Sequence, residues 1–133
     1  MEGTCDTVAD NEQKDGFVVL VVEDEYFIAN EISEALQEVG ANILGPVGKL
    51  DEALRLIEAH RIDAVVLDIN LRGELAFSVG DELAARGIPF VFATGYDPLI
   101  IPQRHRNVSR WEKPYDASTL SRYVIRLKRV RVS

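Results

Sequence analysis

Phe17-Val18-Val19-Leu20-Val21-Val22 is an unbroken apolar run that ends abruptly at Glu23-Asp24-Glu25. A strand with one face in water alternates apolar and polar residues. A continuous β-branched run therefore marks a strand covered on both faces. After the acidic triplet the period changes. Ile28, Ile32, Ala35, Leu36 and Val39 recur at helical spacing, and Gly40 stands where a C-terminal cap is expected. The alternation then repeats. Residues 41–44 read as a short strand, and Leu50, Ala53, Leu54 and Ile57 as a helical stripe with Asp51 and Glu52 in its first turn, where the helix dipole favours acids. Residues 62–67 form a second strongly apolar strand ending at Asp68. Leu75, Val79, Leu83 and Ala84 predict a third helix closed by Gly87, and residues 88–93 a strand with Pro89 near its start, where proline is tolerated. Residues 108–112 are a weaker last strand. Asp116 then caps a final helix with the stripe Ala117, Leu120, Val124 and Leu127.

Strands alternating with helices imply right-handed βαβ units and a parallel sheet covered on both faces. The pattern gives five strands and about five helices, an α/β doubly wound sandwich, in a chain of 133 residues that suits one domain. With 47% hydrophobic residues the core needs no staples, and Cys5 is the only cysteine, which fits a reducing compartment. The net charge of −7 speaks against a nucleic-acid partner. Residues 1–16 are polar and acidic, without the basic and apolar regions of a signal peptide, and read as a disordered leader before a domain at 17–133. No apolar run approaches the ~18 residues of a membrane span, so the expected location is cytoplasmic with no membrane partner.

In a doubly wound fold the site lies outside the carboxyl ends of the strands. The residues there are Glu23, Asp24 and Glu25 after the first strand and Asp68 after the third. Thr94 with Gly95 follows the fourth, and Lys113 with Pro114 the fifth. Each alone has an ordinary structural reading: an acidic run after a strand often caps a helix, and Lys-Pro is common in loops. Together they fit phosphoryl transfer to a carboxylate. Crowded acids need a cation, and Mg2+ takes oxygen ligands: Asp24 and Asp68 directly, Glu23 through a water. Asp68 is the nucleophile, Lys113 pairs with it and then with a phosphoryl oxygen, and Thr94 donates its hydroxyl to another.

Val21-Val22-Glu23-Asp24-Glu25, Val65-Val66-Leu67-Asp68, Phe92-Ala93-Thr94-Gly95-Tyr96 and Lys113-Pro114 resemble the receiver domains of two-component response regulators. The resemblance spans Phe17 to about Arg129. It implies a flavodoxin-like strand order 2-1-3-4-5 and phosphorylation of Asp68 by a sensor histidine kinase. It also implies Mg2+ held by Asp24, Asp68 and the backbone carbonyl of Asn70, with Glu23 at the family's other acidic position, and a cis Lys113–Pro114 bond. Phe-Ala-Thr-Gly-Tyr is similar to the single-domain FAT-GUY receivers, which implies a phosphoacceptor switch or phosphate sink rather than an enzyme. Two departures stand out. Arg110 occupies the position of the family's aromatic switch residue, with Trp111 after it. The stretch from Thr94 to Lys113 is short and holds Pro98 and Pro102, so a short or irregular fourth helix is expected, with an order–disorder switch across 95–107.

Arg122, Arg126 and Arg129 fall on one face of the predicted last helix and, with Tyr96 and Trp111, make a candidate docking surface for a downstream target. His60 and His105 lack metal-ligand neighbours and are assigned to the surface. Two rivals carry different chemistry. A pseudo-receiver would bind partners without ever holding phosphate. A hydrolase with an aspartyl-phosphate intermediate would need a second acid two residues after the nucleophile, where Asn70 stands.

Overall fold

The computed structural model describes residues 16–95 and 100–129. Five parallel strands form one sheet: β1 (Val18–Val22), β2 (Asn42–Val47), β3 (Ala64–Leu67), β4 (Phe90–Thr94) and β5 (Arg110–Glu112). Their order is β2-β1-β3-β4-β5, as the resemblance implied. The helices are α1 (Tyr26–Glu38), α2 (Leu50–Ala59), α3 (Phe77–Ala85) and α4 (Ala117–Val124).

Alternation along each strand sorts its side chains to the two faces. Leu20, Val22, Val65, Leu67 and Phe92 face a cluster completed by Ala53 and Ile57 of α2 and Val79 and Leu83 of α3. Val19, Val21, Ala64, Val66, Val91 and Ala93 face the other cluster, with Ile32 and Leu36 of α1 and Leu120 and Val124 of α4. Both faces are therefore buried, which is why β1 can be apolar throughout. Each buried Val, Leu, Ile or Phe among them contributes about 1.5–3 kcal/mol of burial.

The punctuation read from the sequence does its expected work. Ala41 N–H bonds the carbonyl of Leu36 and Gly40 N–H that of Gln37, a Schellman end to α1 with Gly40 at φ +98°. Gly87, at φ +70°, closes α3 the same way through Ile88 and Leu83. Asp116 caps α4 by accepting from the Thr119 N–H at 3.3 Å.

Three expectations need correction. β2 runs on to Val47 through Gly45 and a cis Gly45–Pro46 bond, with a register shift opposite Leu20 and Val22. Its last residue accepts a 2.8 Å bond from the Glu23 N–H, so the extension props up the acidic end of β1. The described residues hold four α-helices and, between β4 and β5, the 3-10 turn Gln103–His105 where a short or irregular fourth helix was expected.

His105 is not a surface residue. It is 3% exposed, its ring 5.8–6.2 Å from those of Phe77, Phe90 and Phe92, with Nε2 2.8 Å from Asp81 Oδ1. Imidazole can fill an aromatic box provided a ring nitrogen keeps a polar partner, and Asp81, partly exposed at the rim, is that partner. Finally, α4 ends at Val124. The bonds Arg126 N–H to Tyr123 and Leu127 N–H to Val124 tighten the last turn, and Leu127 packs onto the core beside Phe17. Arg126 and Arg129 therefore lie beyond the helix, and the three arginines do not share one helical face.

Leaving β3, the chain makes a two-residue antiparallel ladder, Asn70–Leu71 against Glu74–Leu75, around Arg72 and Gly73. Both turn residues have positive φ, +53° and +90°. This is the left-handed pair that suits a tight hairpin.

Candidate functional site

Four strand ends bring the acidic pocket together through backbone bonds. Asp68 N–H donates to the Val22 carbonyl at 2.9 Å, tying the end of β3 to β1, and Lys113 N–H donates to the Thr94 carbonyl at 3.0 Å, tying the end of β5 to β4. The side chains then converge on Lys113. Its Nζ lies 3.1 Å from Asp68 Oδ2, 3.0 Å from Glu23 Oε1 and 2.8 Å from Glu25 Oε1. The other oxygen of Asp68 accepts the Asn70 N–H at 3.2 Å, and Glu23 Oε2 accepts the Glu25 N–H at 3.1 Å.

Glu25 occupies the N-cap position of α1 yet makes no capping bond with its side chain. Its carboxylate goes to the lysine instead, which answers the ordinary reading of the acidic triplet as a helix cap.

The electrostatics follow from burial. Asp68 is 4% exposed and Glu23 5%. Burial first, and the neighbouring Asp68 charge second, push the Glu23 carboxyl up to about 7, against the pull of Lys113. Burial likewise raises Asp68, opposed by Lys113. Burial works against the Lys113 ammonium, but hydrogen bonds to Glu25 and Glu23 and the charge of Asp68 outweigh it, so Lys113 stays protonated.

Asp24, Glu25, Asp68, Asn70, Arg72, Gly95 and Lys113 line an open cavity of about 430 Å³ at this edge. Oxygens of Glu23, Glu25 and Asp68 lie within 4.8 Å of one another. An all-oxygen donor set fits a hard divalent cation such as Mg2+. Thr94 is the last residue of β4 and fully buried, and Gly95 reaches the cavity wall in its place. Arg110 opens β5 and is exposed, while Trp111 packs on the α1–α4 side with its ring 5.6 Å from Tyr123. Tyr96 lies outside the described residues.

Residues 19–109 match the family model of the response regulator receiver domain. The chain belongs to that family.

Among relatives of this receiver is the transcriptional regulatory protein PdtaR of Mycobacterium tuberculosis, 31% identical over 106 residues, which are 77% of this chain and 52% of PdtaR. The chain spans about half the length of the curated relatives it matches. Among solved structures, SdrG from Sphingomonas melonis Fr1 superposes with a TM-score of 0.71 at 37% identity, covering 80% of this chain and 91% of SdrG. The BeF3-activated conformation of SdrG, attributed to Pseudomonas melonis Fr1, superposes with a TM-score of 0.67 at 36% identity and the same coverage.

Two pocket residues of this receiver escaped the sequence reading: Glu25 as a partner of Lys113, and Arg72, whose Nε lies 3.8 Å from Asp24 Oδ2. Glu25 was legible as a third acid but indistinguishable from a cap. Arg72 carries no motif signal, because only the hairpin brings it to the cavity. Elsewhere on the receiver, Trp111, Thr119, Arg122, Tyr123, Arg126 and Leu127 line a second open cavity of about 500 Å³. Trp111, Arg122 and Arg126 thus share a surface, although not by the helical spacing that suggested it.

Proposed function

We propose that this receiver accepts a phosphoryl group from a sensor histidine kinase on Asp68 and thereby switches a partner-binding surface. The observation that carries the reading is the buried Asp68 carboxylate held by the Lys113 ammonium at 3.1 Å in a cavity of acids. Asp68 attacks phosphorus with a carboxylate oxygen, and the donor's leaving group departs with the electrons of its bond. No general base is needed, since the ionised carboxylate is already the nucleophile. Lys113 transfers its Nζ–H bond from Asp68 to a phosphoryl oxygen, and the Thr94 hydroxyl donates to a second. Asp24, Asp68 and the Asn70 carbonyl would hold Mg2+, with Glu23 bound through a water, and the ion would neutralise charge on the acids and the phosphoryl oxygens.

Receivers are generally signalling switches, and any catalysis here is confined to the protein's own phosphorylation and dephosphorylation. The output surface is the Trp111–Arg122–Arg126 cavity, together with Tyr96. His105, packed in its aromatic box, pins the far part of the 95–107 segment. No helix among the described residues is long and apolar enough to cross a membrane. A cytoplasmic location follows from this proposal, since that is where sensor kinases phosphorylate receivers.

Incubation with acetyl phosphate and Mg2+ tests the reading by intact mass. A gain of one phosphoryl group, lost in Asp68→Asn, supports it. No gain in the wild-type protein overturns it in favour of a phosphorylation-independent interaction module.

A further inference from the structure

We propose that Arg72 is the charge selector at the mouth of the pocket, attracting dianionic phosphodonors while competing with the divalent cation for Asp24. This rests on the phosphoacceptor reading above and adds to it a residue that sets donor preference. Arg72 and Lys113 are the cations lining the cavity, against the carboxylates of Asp24, Glu25 and Asp68. The two cations are placed differently. Lys113 is 17% exposed and committed to three carboxylates within 3.1 Å, whereas Arg72 is 72% exposed and meets Asp24 at 3.8 Å, beyond hydrogen-bond reach. Its guanidinium is thus a charge without a fixed partner geometry, able to turn toward an incoming anion.

Its position is built. Asn70 donates its N–H to Asp68 and accepts the Gly73 N–H at 2.8 Å through its side-chain oxygen, so the turn carrying Arg72 is tied to the phosphoacceptor itself. Arg72 also holds φ +53°, where asparagine or glycine would sit more easily. Arginine stands there against the backbone preference.

The step concerned is balanced without any further reactant. With acetyl phosphate, an Asp68 oxygen forms the new P–O bond while the P–O bond to acetate breaks and acetate leaves with the electron pair. With phosphoramidate the P–N bond breaks, and ammonia leaves carrying a donor proton. Acetyl phosphate is a dianion near neutral pH and phosphoramidate a monoanion, so Arg72 favours the first. Taking a dianion at roughly 6 Å from the guanidinium in water, loss of the charge lowers encounter about tenfold at low salt and about threefold at physiological ionic strength.

Arg72→Asn tests this, because asparagine accepts the left-handed turn while removing the charge, and Arg72→Lys restores the charge. Phosphorylation rates are followed by intact mass with each donor at low and physiological salt. Mg2+ affinity is measured separately by calorimetry without donor. The inference expects Arg72→Asn to slow acetyl phosphate more than phosphoramidate, to lose salt dependence, and to bind Mg2+ about two- to threefold more tightly, with Arg72→Lys near wild type. Unchanged rates at low salt overturn it. So does a parallel weakening of donor use and Mg2+ binding, which marks a turn that merely holds Asn70 in place. Labelling that persists in Asp68→Asn is a different failure, that of the site reading and not of Arg72.

Discussion

Freed of divalent ions, the protein should be less stable at pH 8 than at pH 5, with Glu23 the principal cause. Its carboxyl rises from an ordinary 4.5 to about 7 in the folded chain, through burial and then the neighbouring Asp68 charge. A folded-state value above the unfolded one means the folded protein binds more protons between those limits. The stability Glu23 contributes is full below about 4.5, falls as pH rises through the window and is gone above about 7. With each tenfold step in proton binding equal to about 1.4 kcal/mol, the loss from pH 5 to pH 8 is on the order of 2–3 kcal/mol. Asp68 is raised as well and contributes with the same sign.

The assay is urea unfolding at the two pH values in the presence of a chelator, on wild type and Glu23→Gln. Glutamine mimics the protonated acid, so the variant should lose most of the pH dependence and be the more stable protein at pH 8. At a urea dependence of about 1.5 kcal/mol per molar, the difference between the two proteins should change by about 1 to 2 M in midpoint across the range. Comparing the two cancels the titrating groups that do not interact with Glu23, and leaves Glu23 with its neighbour Asp68. An identical pH dependence in wild type and variant, or a wild type that gains stability toward pH 8 relative to the variant, would refute the electrostatic account of the pocket.

Two further outcomes test the supporting frame. Asp116→Ala removes the side-chain cap of α4 and should cost about 1 kcal/mol by chemical denaturation, with little effect on phosphorylation. His105→Ala empties the space between Phe77, Phe90 and Phe92 and should cost about 2–4 kcal/mol, and amide exchange should quicken across 100–108 while α1 is unchanged; an equally quick α1 would show that His105 does not act locally.

Most of the architecture was readable because the sheet is buried on both faces. That makes β1, β3 and β4 continuous apolar runs, and a buried strand ends visibly where its first charge appears, at Glu23 and Asp68. Gly40, Gly87 and Asp116 were equally plain, since left-handed ends and side-chain caps demand particular residues. β2 was cut short because Gly45 and Pro46 look like a turn, although the edge strand carries both. The site was legible as a set of strand ends and not as a geometry. Glu25 differs from a helix cap only in where its carboxylate points, which no spacing reveals. His105 was misplaced because its neighbours in sequence, Arg104 and Arg106, are exposed, while its partners Phe77, Asp81, Phe90 and Phe92 come from other elements. The arginines after Val124 lost their common face because the final turn tightens, an event set by Leu127 reaching the core.

The central claim is that Asp68 carries the phosphoryl group, and reductive trapping tests it most directly. Borohydride converts an aspartyl phosphate to homoserine, which peptide mass mapping locates to a single residue. After phosphorylation by acetyl phosphate or a phosphorylated histidine kinase, homoserine should be found at position 68 and nowhere else. Its appearance at Asp24 or another acid, or its absence from a protein shown to be labelled, would contradict the account.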